Sequence, residues 1–193
     1  MERLRNETKT SHQQLEKATI PYIKQSTNEQ AYAHVLKMFY GYFKPVEELI
    51  QSLVDDTILE DIKERRQSGA ILEDLKAIGS DAPSSVSEAL PVLQSIPQAL
   101  GAMYVLEGST LGGRFISQML AKQLGRSAEN GIAFFSGYGE QTDTKWKKFT
   151  EMMNLYVTNH PLNADEIVAS ANETFSNFGV WIALFNEKVE VTI

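Results

Sequence analysis

Apolar residues recur along this chain at intervals of three and four, and no run alternates with a period of two for long enough to build a sheet. Helices alone are therefore expected. The strongest stripe is Tyr32, Val35, Leu36, Phe39, Phe43, Val46, Ile50 and Leu53, one face of a long helix that Ser26 and Glu29 would open as a capping box. Pro45 within it predicts a kink. Ahead of it, Glu2 to Lys17 reads as a helix with Leu4, Thr8, Ser11, His12 and Leu15 on one face. Shorter amphipathic segments are expected over 56–67 and 70–78, the second ended by Gly79. Ser85 with Glu88 predicts a short helix to about Ile96. Thr142 or Asp143 should cap a helix striped by Trp146, Phe149, Met152, Met153 and Tyr156. Asn163 with Glu166 opens a last one carrying Ile167, Ala171, Thr174, Phe175, Phe178, Ile182 and Phe185. Residues 132–142, IAFFSGYGEQT, lack a period and read as an ordered loop, and the closing VEVTI as a frayed tail. The sum is an all-α bundle of about seven or eight helices, one domain over residues 1–193.

One element departs from this plain amphipathic pattern. From Pro97 to Leu120 runs PQALGAMYVLEGSTLGGRFISQML, apolar and helical in spacing but interrupted by Gly108, Gly112 and Gly113. A glycine inside a helix costs about 0.5–1 kcal/mol relative to alanine. Three within six residues call for a use. Two uses are open: a close crossing with another helix, or a bare stretch of backbone, free to bend, against which a flat ligand can lie.

Composition narrows the chemistry. The net charge of −7 and a pI near 5.0 argue against a general nucleic-acid-binding surface. With no cysteine, disulfides, thiolate metal sites and cysteine nucleophiles are excluded, which suits a cytoplasmic protein. The start, MERLRNETKTSH, is neither a signal peptide nor a membrane anchor in pattern, and no apolar run reaches the roughly 18–20 residues of a spanning helix. No His-Glu-x-x-His run, P-loop, dinucleotide glycine pattern or paired Glu-x-x-His motif is present.

Among the three histidines, His34 falls off the stripe of its helix and reads as a solvated residue, and His160 precedes Pro161 at a helix end. His12 lies on an inward stripe. Glu16, one turn on, can orient its imidazole, while Lys9 and Arg5 lie one and two turns back on nearly the same face. Two cations beside an inward imidazole suit a ligand with a metal at its centre and carboxylates at its rim. Set against the glycine-opened helix, this makes the two walls of a heme slot.

The residues also carry a family likeness. LRNETKTSHQQLEK resembles the proximal helix of heme oxygenases, and YVLEGSTLGG resembles the distal helix of that family's bacterial, biliverdin-producing branch. The likeness extends over most of the chain, including FYGYFKPVEELI. It implies an all-α fold with heme held between the first and the distal helix. Carried over by position, His12 would be the axial iron ligand, Glu16 its acidic neighbour, and Arg5 and Lys9 the partners of the propionates. Gly108, Gly112 and Gly113 would be the distal glycines beside the oxygen site. Ser109 stands where mammalian-type members carry an aspartate that organises proton-donating waters; a hydroxyl holds a water but brings no charge. Phe175 falls near the place of a basic residue that contacts a propionate in some members.

The implied activity is oxidative cleavage of heme to biliverdin, carbon monoxide and ferrous iron, with heme b as substrate and cofactor and O2 as oxidant. Electrons would come from an external donor of reductase or ferredoxin type, since the chain has no flavin or pyridine-nucleotide motif. A monomer or weak homodimer, without membrane or nucleic-acid partners, is expected. The alternatives are a non-catalytic heme or tetrapyrrole carrier or sensor, with Ser109 marking lost catalysis, and a helical interaction domain without ligand.

Overall fold

In the computed structural model, which describes residues 1–65 and 68–190, the chain forms α1 (Glu2–Glu7), α2 (Lys9–Lys24), α3 (Glu29–Gln51), α4 (Gly69–Ala77), α5 (Ile96–Leu124), α6 (Ala133–Ser136), α7 (Thr142–Asn159) and α8 (Ala164–Glu190). Among the described residues there is no strand. The fold is all-α, as the apolar spacing requires. None of the described helices is long and apolar enough to cross a membrane.

The first helix is divided at Thr8, whose Oγ1 turns back to donate to the Leu4 carbonyl at 2.8 Å. Beyond it α2 continues past Lys17, the expected end, to Lys24, with Pro21 inside it. α3 is capped by Asn28, whose Oδ1 accepts the Ala31 N–H at 2.9 Å. Ser26, the expected cap, is buried and donates to the Tyr22 carbonyl instead. Pro45 lies within α3, and its missing N–H leaves the carbonyl of Gly41 without its helical donor. Ser87 supplies one, donating its N–H to Gly41 at 2.8 Å. That bond helps explain why the short helix expected from Ser85 to Ile96 does not form. Other backbone donors of the segment go to side chains and to its own turns, Ala89 to Ser87, Val92 to Glu173 and Gln94 to Gln98, rather than to a helix of its own.

Two other expected caps also resolve differently. Thr142 donates to the Gly139 carbonyl and does not cap α7, while Asn163 donates to the Tyr156 hydroxyl and Glu166 accepts from Ser95. Residues 56–67 yield only a single 3-10 turn, Ile62–Glu64, with 66 and 67 outside the described residues. The expected loop at 132–142 contains the one-turn α6. Its first N–H groups, of Ala133 and Phe134, each donate to the buried Asp74 carboxylate at 2.8 Å. Burial pushes that carboxyl above its usual range, and the two backbone donors pull it part of the way back. Of the closing VEVTI, Val189 and Glu190 belong to α8 and 191–193 lie outside the described residues.

The aromatic face of α3 packs on α8. Tyr42 stacks on Phe178 with centroids 4.6 Å apart and donates to the Thr174 carbonyl, and Trp181 donates to the Met38 carbonyl at 2.8 Å. A side chain at Gly41 would run into the Trp181 ring. His34 is not solvated as expected. Its ring lies against Phe185 and Tyr22, with Nε2 2.7 Å from Asn186 Oδ1.

Candidate functional site

α8 is the floor on which both expected walls stand. On one side Ser11 donates to Asn172 at 2.6 Å and the His12 ring meets Phe175 edge-on, with centroids 5.5 Å apart. On the other, Gly101 lets α5 approach so closely that an added Cβ would enter the Ile167 carbonyl. α2 and α5 run the same way. Both pass along α8, and their far ends meet where Gln123 donates to the Lys24 carbonyl. From Gly101, beside Ala171, to Gly108 is about two turns, roughly 10 Å, and from Ala171 to Phe175 about one, roughly 6 Å. Along α8, α2 thus meets the Phe175 turn through His12, and α5 meets the Ile167–Ala171 turn just before it through Gly101.

α5 passes through all its glycines without interruption, and none within it has a positive φ; the left-handed glycine is Gly125, which ends it at φ +65°. The glycines thus do not break the helix, and their surroundings differ. At Gly113 an added Cβ would lie 2.6 Å from the Phe135 carbonyl oxygen, so its bareness serves the packing of α6 on α5. At Gly108 the nearest atoms are those of the Trp146 ring, at 3.7 and 3.8 Å, an ordinary contact, and at Gly112 nothing lies within 4 Å. Neither residue is demanded by the protein's own packing. A close crossing accounts for Gly113 but not for Gly108, which meets the Trp146 ring at ordinary distance, or for Gly112, which faces open space.

On α2 the His12 side chain is 53 % exposed, with Nδ1 3.6 Å from Glu16 Oε2. That leaves Nε2 for a ligand. Arg5, in α1, and Lys9, the first residue of α2, are exposed, and among the described residues neither takes part in an ion pair. Next to His12 opens a trough of about 550 Å³ lined by Gln13, Glu16, Lys17, Ile20 and Pro21. Ser109 donates to the Leu106 carbonyl at 2.6 Å, so its hydroxyl proton is turned onto its own helix.

The model of the heme oxygenase family matches residues 1–184. The chain belongs to the heme oxygenase family. A curated protein from Xanthomonas campestris pv. campestris (strain 8004), named heme oxygenase, is 29 % identical over 155 residues, 79 % of this chain and 88 % of that one. The crystal structure of NO- and CO-bound heme oxygenase from Neisseria meningitidis superposes with a TM-score of 0.79 over 95 % of this chain and 90 % of its own, at 22 % identity. That likeness shows the fold.

Within this heme oxygenase fold, sequence reasoning missed the surroundings of Gly108. Trp146 packs on Tyr104, centroids 5.9 Å apart, beside it. Behind it lies a buried ionic cluster of Asp61, Arg65, Glu107 and Lys145. Glu107 stood in the quoted motif, but its partners Arg65 and Tyr138 lie 42 and 31 positions away on either side. Helical periodicity cannot bring those together.

Proposed function

We propose that the chain binds heme in the slot between α2 and α5 and cleaves it oxidatively to biliverdin, carbon monoxide and ferrous iron. The observation that carries this reading is the pair Gly108 and Gly112: two helix-interior glycines, each costing about 0.5–1 kcal/mol, that no neighbour in the protein requires. A planar ligand lying against the helix does require them.

The residues present fit that ligand. His12 offers Nε2 to the iron, and Glu16 restrains the ring from the Nδ1 side. Arg5 and Lys9, whose side chains take part in no ion pair among the described residues, are available to the two propionates. Phe175 holds the imidazole edge-on and supports its orientation. Bound heme supplies both the iron that activates O2 and the ring that is oxidised. The chain's own part would be to present the His12 imidazole from α2 and bare backbone at Gly108 and Gly112 from α5. Ser109 can accept a hydrogen bond from a water there while its proton stays on Leu106. Electrons come from a separate reductase or ferredoxin-type donor, and the working form is a monomer or weak homodimer in the cytoplasm.

Titration with hemin should produce a Soret band. Ascorbate or a reductase in air should then convert it to biliverdin with release of carbon monoxide, and His12→Ala should weaken binding by about tenfold or more, equivalent to at least ~1.4 kcal/mol. Heme that stays intact under reductant and air would mark a carrier rather than an oxygenase. A His12→Ala complex with an unchanged spectrum would move the iron ligand elsewhere.

A further inference from the structure

Glu107, immediately before Gly108, is one of the few buried carboxylates among the described residues, and the slot described above gives it no task. Its Oε2 accepts from Arg65 Nη1 at 2.8 Å, and the Tyr138 hydroxyl donates to it, 2.9 and 3.1 Å from the two oxygens. Arg65 is as deeply buried. It donates from Nε and Nη2 to Asp61 at 3.1 and 2.9 Å, and from Nη1 to the carbonyl of Lys145 at 3.0 Å. Lys145 in turn binds Asp61 at 2.9 Å and Glu64 at 2.8 Å. The residue after Lys145 is Trp146, the ring that a side chain at Gly108 would touch.

One guanidinium therefore grips α7 just before Trp146 and α5 just before Gly108. Two cations and two carboxylates taken from water are a poor source of stability, because apolar residues of similar volume do as well or better. Fixed hydrogen-bond directions supply something apolar packing does not: a single register between the elements they join.

We propose that Glu107 is a positioning residue of the heme slot. Held by Arg65 and Tyr138, it sets the rotation and depth of α5 at Gly108 against Trp146, and hence the clearance above the open face of the porphyrin. This rests on the reading of Gly108 and Gly112 as a wall of that slot. The same wall is held differently farther along, where Gly112 has no neighbour within 4 Å and Arg114 pairs with Asp143 at the surface. Farther along, α5 is seated by Gly113 against the Phe135 carbonyl, so Glu107 holds the wall at its Gly108 end and α6 holds it beyond Gly112.

The test uses the full chain with hemin and the variants Glu107→Leu, Glu107→Gln and Tyr138→Phe. Hemin affinity, read from the Soret titration, should stay close to that of the unaltered chain, because His12, Arg5 and Lys9 are untouched. The C–O stretching band of the reduced carbon monoxide complex should shift and broaden in Glu107→Leu, and turnover should fall by about 10- to 100-fold. Glu107→Gln, which keeps the shape and a bond from Tyr138, and Tyr138→Phe should shift the same band by less. A merely structural role would lower the melting temperature and leave the band unmoved, and that result overturns the proposal. If Glu107→Leu does not fold, an unmoved band in the other two variants overturns it equally. An unaltered chain that takes up no hemin would instead overturn the slot itself, and this proposal with it.

Discussion

Three glycines that look alike in the sequence do opposite work. Gly113 is bare because α6, anchored by Asp74, presents the Phe135 carbonyl to it; Gly108 and Gly112 are bare with only a ring edge or nothing opposite. The difference was illegible in the sequence, since it depends on which distant element each residue faces. The Glu16 neighbour of His12 was legible from its own helix, but the inward position expected for His12 was not borne out, since its side chain is exposed. Its contact with Phe175 was not legible either. Alanine substitutions should separate the glycines by sign. In the ligand-free chain Gly112→Ala should stabilise by about 0.5–1 kcal/mol, a rise of roughly 1–4 °C in melting temperature, and Gly113→Ala should destabilise by about 1–3 kcal/mol. Gly112→Ala should nevertheless slow heme turnover. Circular dichroism melts alongside the turnover assay check both signs.

The apolar stripes located the long helices, whereas their ends were misread wherever a cap-like residue found a stronger partner. Ser26 returns to Tyr22, Glu166 takes Ser95, and the segment after Ser85 serves a carbonyl that Pro45 leaves bare. α5 is held at its midpoint by charges that no local pattern announces. Breaking that cluster with Arg65→Ala should cost about 3–5 kcal/mol, because it strands buried carboxylates. Asp61 gives the cluster a pH signature. Burial tends to raise its pKa, but hydrogen bonds from Lys145 and Arg65 outweigh that and hold it below the usual carboxylate range. A depressed folded pKa contributes stability that is fully present above the unfolded value, about 3.9, and is lost as pH falls through the lower folded one. Urea denaturation across pH 2–6, as a rough working range, should show that acid loss, and Asp61→Asn should flatten it.

Across the whole molecule, Arg5 and Lys9 of the proposed slot are exposed and outside any ion pair among the described residues, although the chain's net charge is −7. Those cations should bind the anionic edge of heme, with an affinity that falls as salt screens Arg5 and Lys9. Ligation adds to the stability of the fold: hemin at a hundredfold excess over its dissociation constant should contribute about 2.7 kcal/mol, roughly 5–10 °C in melting temperature, and His12→Ala should shrink that rise. The all-α class and the helices α2 and α5 were readable from period and composition. How those helices pack was not, because it rests on Gly101, Phe175 and the Arg65 cluster acting across the fold. A crystal structure of the hemin complex bears most directly on the two facing walls. Iron bonded to His12 Nε2, with the backbone of Gly108 and Gly112 over the opposite face and no side chain between, is the expected result; iron on His34 or His160, or a porphyrin lying anywhere but between α2 and α5, would contradict it.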